Sequence, residues 1–249
     1  MIGIIGYGRF GRLMARYLSS EVRVEVYRRG RPTGERQGRR IVFKSLEEVC
    51  RQRIVIPAVP ISQMERMLKE MAPHLSRNTL VIDVCSVKVY PCRLMMKLLP
   101  EKVSILGTHP MFGPDSAAES LSGKKIVLCP QRIELRPLHR IRAFLETRGL
   151  TVIETTPEQH DRKIAVSLAL THFIGRSLSR FGARPMDIDT DGYQRLLHTL
   201  ETVENDTWQL FEDMHRYNPY AREVREAFLT AAARIHGDLG GYLGGGDDA

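Results

Sequence analysis

Cysteine is scarce in this chain of 249 residues: Cys50, Cys85, Cys92 and Cys129 are scattered, with no C-x-x-C pair and no cluster of histidine with cysteine. A disulfide framework and a structural zinc site are thereby excluded, and the thiols read as small buried apolar groups. Long apolar runs are missing too. None approaches the roughly 20 residues needed to cross a bilayer, so neither a membrane span nor a membrane partner is expected. The opening "MIGIIGYG" has no basic stretch or small-residue cleavage site around its apolar run, which predicts a cytoplasmic location. No repeat of fixed period is present. The glycines of the terminal "GDLGGYLGGGDDA" are not followed by Gly-Lys-Ser/Thr, which excludes a phosphate loop there and predicts a flexible tail.

What is present is alternation. The apolar runs "MIGIIG", "VRVEVY", "RIVIPAV", "TLVIDV", "KVSILG", "GKKIVLC" and "LTVIE" are separated by helical patterns such as "RFGRLMARYLSS" and "SQMERMLKEMAPHL". Strand and helix in alternation predict βαβ units and a parallel sheet. From Pro157 onward strand candidates stop and amphipathic helices take over. Thr156 precedes Pro157 at the first helical position, and Glu158 and Asp161 suit the positive end of a helix dipole. The predicted fold is α/β: a doubly wound, dinucleotide-binding sheet domain over residues 1–155 and an all-helical domain over residues 156–249.

Gly6-Tyr7-Gly8-Arg9-Phe10-Gly11 spells G-x-G-x-x-G between the first strand and the first helix, the context that gives this pattern meaning. Gly6 permits the tight turn, Gly8 lets the backbone approach a pyrophosphate, and Gly11 allows the helix to lie close to the strand. The helix N-terminus supplies amide donors. All six residues are candidate cofactor contacts. The second strand lacks the acid that receives the ribose hydroxyls in an NAD site; Glu25 comes too early, and the strand runs into Arg28 and Arg29 with Arg31 close behind. A guanidinium fork suits the 2′-phosphate of NADP, so NADP is expected in preference to NAD, against the alternative of a solvated basic loop. The net charge of +8 is concentrated in the same place, where six arginines from Arg28 to Arg40 face one acid, Glu35. The cluster has no interleaved aromatics, and no nucleic-acid partner is expected.

Ligands of a doubly wound sheet lie beyond the carboxyl ends of its strands. That rule brings together Ser86 of "CSVK" and His109 of "GTHPMFGP", where a strand is expected to end and two prolines and a glycine to hold a rigid loop. A histidine, with its ordinary pKa of about 6.5, is suited to take a proton released as hydride leaves, and a serine hydroxyl can hold the imidazole or a substrate hydroxyl. Lys88 is either an assistant or a solvated helix-start lysine. Asp115, behind the histidine, is open between meeting a substrate ammonium and capping the next turn.

The stretches "DVCSVK", "GTHPMFGPDS" and "EQHDRKIAVSLALTHF", with the N-terminal glycine motif, resemble the prephenate/arogenate dehydrogenases of tyrosine biosynthesis over nearly the whole chain. The resemblance implies a Rossmann-type sheet domain, a small-molecule substrate and oxidative decarboxylation. Hydride moves from the ring carbon bearing the hydroxyl to the nicotinamide, carboxylate leaves as carbon dioxide, and prephenate gives 4-hydroxyphenylpyruvate, or arogenate gives tyrosine. His109 matches the family's catalytic histidine and Ser86 its serine partner. His172 matches a histidine reaching the pocket from the first long helix of the second half, with Arg176 one turn further on the same face. The substrate's carboxylates call for an arginine. Arg195 is the candidate, with a surface helix arginine as the alternative. Prephenate is favoured, since it needs no acid for an ammonium group.

The resemblance also implies a homodimer formed through the helical half, for which Leu196, Leu200, Val203, Trp208 and Phe211, and Val224, Phe228 and Ala232, offer apolar stripes. The competing readings are two. One is another NADP-linked dehydrogenase or reductase with a helical second domain, whose families rely on a helix-borne lysine or acid rather than a His-Pro loop. The other is a non-catalytic NADP sensor.

Overall fold

A computed structural model describes residues 1–30 and 33–240; Arg31 and residues 241–249 of the expected tail lie outside the described residues. The chain divides into two compact units after Asp161. The expected boundary at residue 155 marks the end of strand content instead.

The first unit is built on strands β1 (Ile2–Ile5), β2 (Val24–Tyr27), β3 (Arg36–Gln37), β4 (Ile41–Phe43), β5 (Ile54–Pro57), β6 (Leu80–Asp83), β7 (Ser104–Pro110), β8 (Lys125–Arg132) and β9 (Thr151–Glu154). They form one sheet in the order β3-β4-β2-β1-β5-β6-β7-β8-β9. The run from β4 to β7 is parallel, and its order reverses at β1, where the chain crosses from one half of the sheet to the other. β8 returns antiparallel to β7, and β9 pairs parallel with β8. Helices α1 (Arg9–Ser19), α2 (Leu46–Cys50), α3 (Met64–Met71), α4 (Val89–Leu98) and α5 (Leu135–Thr147) connect the strands. Covered on both faces, the central strands need no polar alternation, which is why they read as unbroken apolar runs. Ile4, Ile5, Val24, Val26, Val55, Val81, Ile105, Leu106 and Leu128 are all buried, and each such side chain contributes roughly 1.5–3 kcal/mol.

Two elements escape the sequence pattern. β3 has only two residues and β4 only three, "IVF", set in arginine-rich sequence without room for alternation. β7 runs further than expected: its antiparallel pairing with β8 continues through His109↔Val127 and Pro110↔Ile126. The expected rigid loop is therefore the end of a paired strand, and His109 is held by sheet hydrogen bonding rather than by its prolines.

α6 (Pro157–Ile164) contains the division between the units, and Ala165–Leu170 adopt π-helical geometry before α7 (Thr171–Phe181). α8 (Asp191–Glu204), α9 (Trp208–Tyr217) and α10 (Ala221–Gly240) complete the helical unit. α10 continues through Gly237 to Gly240, where the flexible tail was expected to have begun. The expected apolar stripe splits: Leu200 and Val203 are buried within the unit, with Val203 packed on Gly175, whereas Leu196, Trp208 and Phe228 are exposed. No helix among the described residues is long and apolar enough to cross a membrane.

Candidate active site

Two of the three motif glycines are required by the protein's own packing. Gly6 has φ +104°, and a Cβ there would stand 2.3 Å from the Ala58 carbonyl oxygen; one at Gly11 would stand 2.4 Å from the Gly6 carbonyl oxygen. Gly8 differs. Its φ of −71° suits any residue, and a Cβ on it would meet nothing within 4 Å. Open space over a glycine that no protein atom demands, at the N-cap of a helix with no acid in its first turn, is the arrangement that accommodates a pyrophosphate.

The side chains between the glycines are committed elsewhere. Tyr7 is buried, with its hydroxyl donating to Gln37 Oε1 at 2.7 Å and its ring edge-on to Phe43 at 5.1 Å. Arg9 binds the Asp115 carboxylate at 2.7 Å and Phe10 meets Phe112 at 6.4 Å, while the Tyr17 hydroxyl donates to Ala117 O at 2.8 Å. These contacts fasten the loop after β7 along α1, from Arg9 at its start to Tyr17 near its end. The side chains of Tyr7, Arg9 and Phe10 are thus engaged within the protein, and among the described residues the Asp115 carboxylate caps no turn but meets Arg9 in an exposed ion pair. Arg28 and Arg29 follow the end of β2, both exposed and neither with an ion pair among the described residues.

At the reacting edge, β6 and β7 are parallel neighbours with Asp83 opposite Gly107, so Ser86 and His109 emerge from adjacent strands at the same end of the sheet. His109 is 6% exposed. Its Nδ1 lies 2.9 Å from His160 Nε2, with the rings edge to face at 74°, and His160 Nδ1 lies 2.7 Å from Asp161 Oδ1. Asp161 in turn accepts the backbone N–H groups of Lys88 at 2.7 Å and Val89 at 2.9 Å. Burial, then His160 and Lys88, pull the pKa of His109 well below the usual histidine value, so the imidazole is neutral at neutral pH. Of the two roles open to Ser86, a bond to the imidazole is absent among the described residues. Ser86 Oγ is buried without a partner, a hydroxyl placed to receive a ligand group.

Sequence reasoning missed His160 and Asp161. The signal for them is the adjacent His-Asp of "EQHD", where an acid near a helix start suits the dipole; the Asp161 carboxylate in addition accepts the N–H groups at the start of α4, far away in sequence.

Lys88 is neither a solvated lysine nor a substrate contact. It is fully buried, and its Nζ donates to both Asp83 oxygens and to Thr108 O, each at 2.5 Å. Burial pulls its pKa down, but the Asp83 carboxylate, helped by Cys92 and Cys85, outweighs it and leaves the ammonium raised and charged. Asp83 also accepts from the N–H groups of Cys85 and Thr108, and its own carbonyl accepts from the Thr108 hydroxyl at 2.6 Å. The buried pair therefore pins the residue immediately before His109.

The remaining candidates belong to the helical unit. His172 is buried with Nδ1 unpartnered, and burial followed by Arg176 lowers its pKa to about 4; its 3.7 Å approach to Asp206 is therefore no ion pair at neutral pH. Arg176 donates to the carbonyls of Val203 at 2.9 Å and Asp206 at 2.5 Å, closing the C-terminal end of α8, and Nε is its buried, unpartnered atom. Arg195 is exposed on α8 without an ion pair among the described residues.

The family profile for the prephenate dehydrogenase nucleotide-binding domain matches residues 31–154, and that for the TYRAAT1-like C-terminal domain matches residues 177–246. Arogenate dehydrogenase 2, chloroplastic, of Arabidopsis thaliana is 32% identical over 97% of this chain and 70% of its own length. A probable arogenate/prephenate dehydrogenase of Methanocaldococcus jannaschii is 29% identical over 94% of this chain, which spans 55% of that relative. Synechocystis arogenate dehydrogenase shares the fold, with a TM-score of 0.72 at 21% identity over 98% of this chain and 93% of that one. So does A. aeolicus prephenate dehydrogenase, solved with hydroxyphenyl propionate and NAD+, with a TM-score of 0.73 at 18% identity over 97% and 91%. A glycine loop with room for a pyrophosphate, a neutral buried imidazole at the sheet's carboxyl edge and these matches make one statement: the chain belongs to the prephenate/arogenate dehydrogenase family.

Proposed function

We propose that this protein oxidatively decarboxylates prephenate with NADP. The observation that carries the reading is His109: a buried imidazole, neutral at neutral pH, on the strand next to the one that leads into Ser86, whose buried hydroxyl has no partner among the described residues, at the end of the sheet where a doubly wound fold holds its ligand. A bound nicotinamide would supply the acceptor for the hydride on the ring carbon bearing the hydroxyl. His109 accepts the hydroxyl proton as that C–H pair departs, so the alcohol carbon becomes a carbonyl. The ring carboxylate then leaves as carbon dioxide, its bonding pair passing through the ring to the carbonyl oxygen, which recovers the proton from His109. A phenol results. Ser86 supplies a hydrogen bond to the same hydroxyl. Of His172, Arg176 and Arg195, the candidates for the substrate's carboxylates, Arg195 is favoured, because the Arg176 guanidinium already donates to the backbone carbonyls of Val203 and Asp206.

Prephenate is preferred because Asp115, the acid nearest in sequence to His109, is engaged by Arg9. The second reading is arogenate, the substrate named for the Arabidopsis relative. Initial rates with prephenate and arogenate, each with NADP and NAD, decide: the highest kcat/KM is expected for prephenate with NADP, and no turnover with either substrate would overturn the enzymatic reading in favour of an NADP sensor.

The choice of NADP rests on the exposed Arg28 and Arg29, with Arg31 beside them in sequence. Arg28→Asp combined with Arg29→Ala is expected to weaken NADP binding by ~2–4 kcal/mol, from lost charge-assisted contacts and added repulsion, with far less effect on NAD. Equal losses for both cofactors would refute the assignment. A homodimer through the helical unit is the further part of the reading, supported by exposed Leu196, Trp208, Phe228, Leu229 and Ile235. Light scattering at micromolar concentration should give twice the chain mass; a monomer with full activity would contradict it.

A further inference from the structure

The chain His109–His160–Asp161 carries more than position. We propose that Asp161, acting through His160, fixes the proton of His109 on Nδ1 and so keeps Nε2 bare for the substrate hydroxyl; His160 and Asp161 are positioning residues for the catalytic histidine. The inference rests on the reading of His109 as the acceptor of that proton.

The assignment follows from counting donors. Asp161 Oδ1 accepts the Lys88 N–H and Oδ2 accepts the Val89 N–H at the start of α4, so a proton on either oxygen would face a backbone donor. Asp161 is therefore an acceptor only, and His160 Nδ1, 2.7 Å from Oδ1, must donate to it. In a neutral imidazole the other nitrogen is then the acceptor. His160 Nε2 faces His109 Nδ1 at 2.9 Å, so His109 Nδ1 carries the hydrogen. His109 Nε2 is left with its lone pair and no hydrogen-bond partner among the described residues. The reverse order would require an imidazolium at His160 donating to His109 Nδ1, which would put the remaining proton on Nε2 and abolish the base.

The charged and titratable groups around the pair complete the picture. Asp161 and His160 come from α6, Asp83 from the end of β6, and the Lys88 ammonium from the start of α4. Lys88 disfavours a cation on His109 at rest. When the substrate proton arrives, the Nδ1–H of His109 points at an imidazole whose far side meets a carboxylate. The arriving charge is thus stabilised along the chain without any net change in protons over the cycle.

Two measurements test this. In 15N-labelled wild-type protein at pH 7.5, NMR should find His109 protonated on Nδ1 and bare on Nε2; a proton on Nε2 would overturn the proposal whatever the variants do. His160→Phe keeps a ring but removes the acceptor, and should lower kcat roughly 10–100-fold, a loss of the size found when a metal-bound imidazole loses its orienting partner. KM and NADP affinity should stay near wild type, and the acidic limb of the pH profile should move. His160→Gln, whose side-chain oxygen can accept the same Nδ1–H, should recover most of the rate. If His160→Phe matches wild type in kcat and acidic limb while His109→Asn is inactive, the proton-fixing role fails alone. If His109→Asn is itself fully active, the reading beneath it fails.

Discussion

His109→Asn is expected to lower kcat by roughly 10²–10⁴, the usual cost of removing a general base, while NADP affinity stays near normal. The size follows from the site. The imidazole lies at the end of a paired strand, and burial holds its pKa well below the usual histidine value, so at neutral pH it stands in its base form. A base with a lowered pKa stays deprotonated as the medium is acidified, and loses activity only when pH falls through that lowered value. The acidic limb of kcat/KM should accordingly lie below the ordinary histidine pKa of about 6.5 and disappear in the variant. Asparagine is small and polar and leaves the buried pair of Asp83 and Lys88 intact, so the protein should fold. A variant with wild-type kcat would remove His109 from the chemistry.

Lys88→Met is expected to cost about 3–5 kcal/mol of stability, because it removes one partner of a buried ion pair and leaves the other without compensation. Both side chains are fully inaccessible to solvent, so water cannot take over the lost contacts. Asp83 would keep its two backbone donors, from Cys85 and Thr108, but not its counter-charge. Combining Lys88→Met with Asp83→Asn removes the stranded charge and should recover part of the loss. Urea unfolding measures both. Activity should fall with the single variant as well, since the Lys88 ammonium also holds Thr108 O, one residue before the imidazole proposed as the base. A loss of less than about 1 kcal/mol for Lys88→Met would mean that the pair is not a structural pin.

Much of the sheet is legible in the sequence because both faces of its central strands are covered, and burial on two faces writes itself as unbroken apolar runs between helical patterns. The glycine motif is legible for a related reason: Gly6 and Gly11 answer to backbone clashes that no other residue escapes. β3 and β4 are not legible, since two and three residues carry no period. The site divides in the same way. Ser86 and His109 can be placed from strand order alone, because adjacent parallel strands deliver their ends to one edge.

His160 and Asp161 cannot be placed so. Their roles depend on α6 beginning beside the end of β7 and the start of α4, a tertiary fact with no local signature. Lys88 misleads for the opposite reason. A lysine at a helix start is ordinarily solvated, and only the Asp83 carboxylate opposite it permits complete burial. Helical spacing places Arg176 on the same face as His172, but only the structure reveals that its guanidinium is occupied by the carbonyls of Val203 and Asp206 at the end of α8.

The central claim is oxidative decarboxylation with His109 as the proton acceptor, and its most direct test is a stoichiometry. Wild-type protein is mixed with NADP and prephenate labelled in the ring carboxylate, and NADPH absorbance and released labelled carbon dioxide are recorded together. The account predicts that the two appear one for one and that both are lost together in His109→Asn. NADPH formed without carbon dioxide, or neither product with prephenate and with arogenate alike, would contradict it.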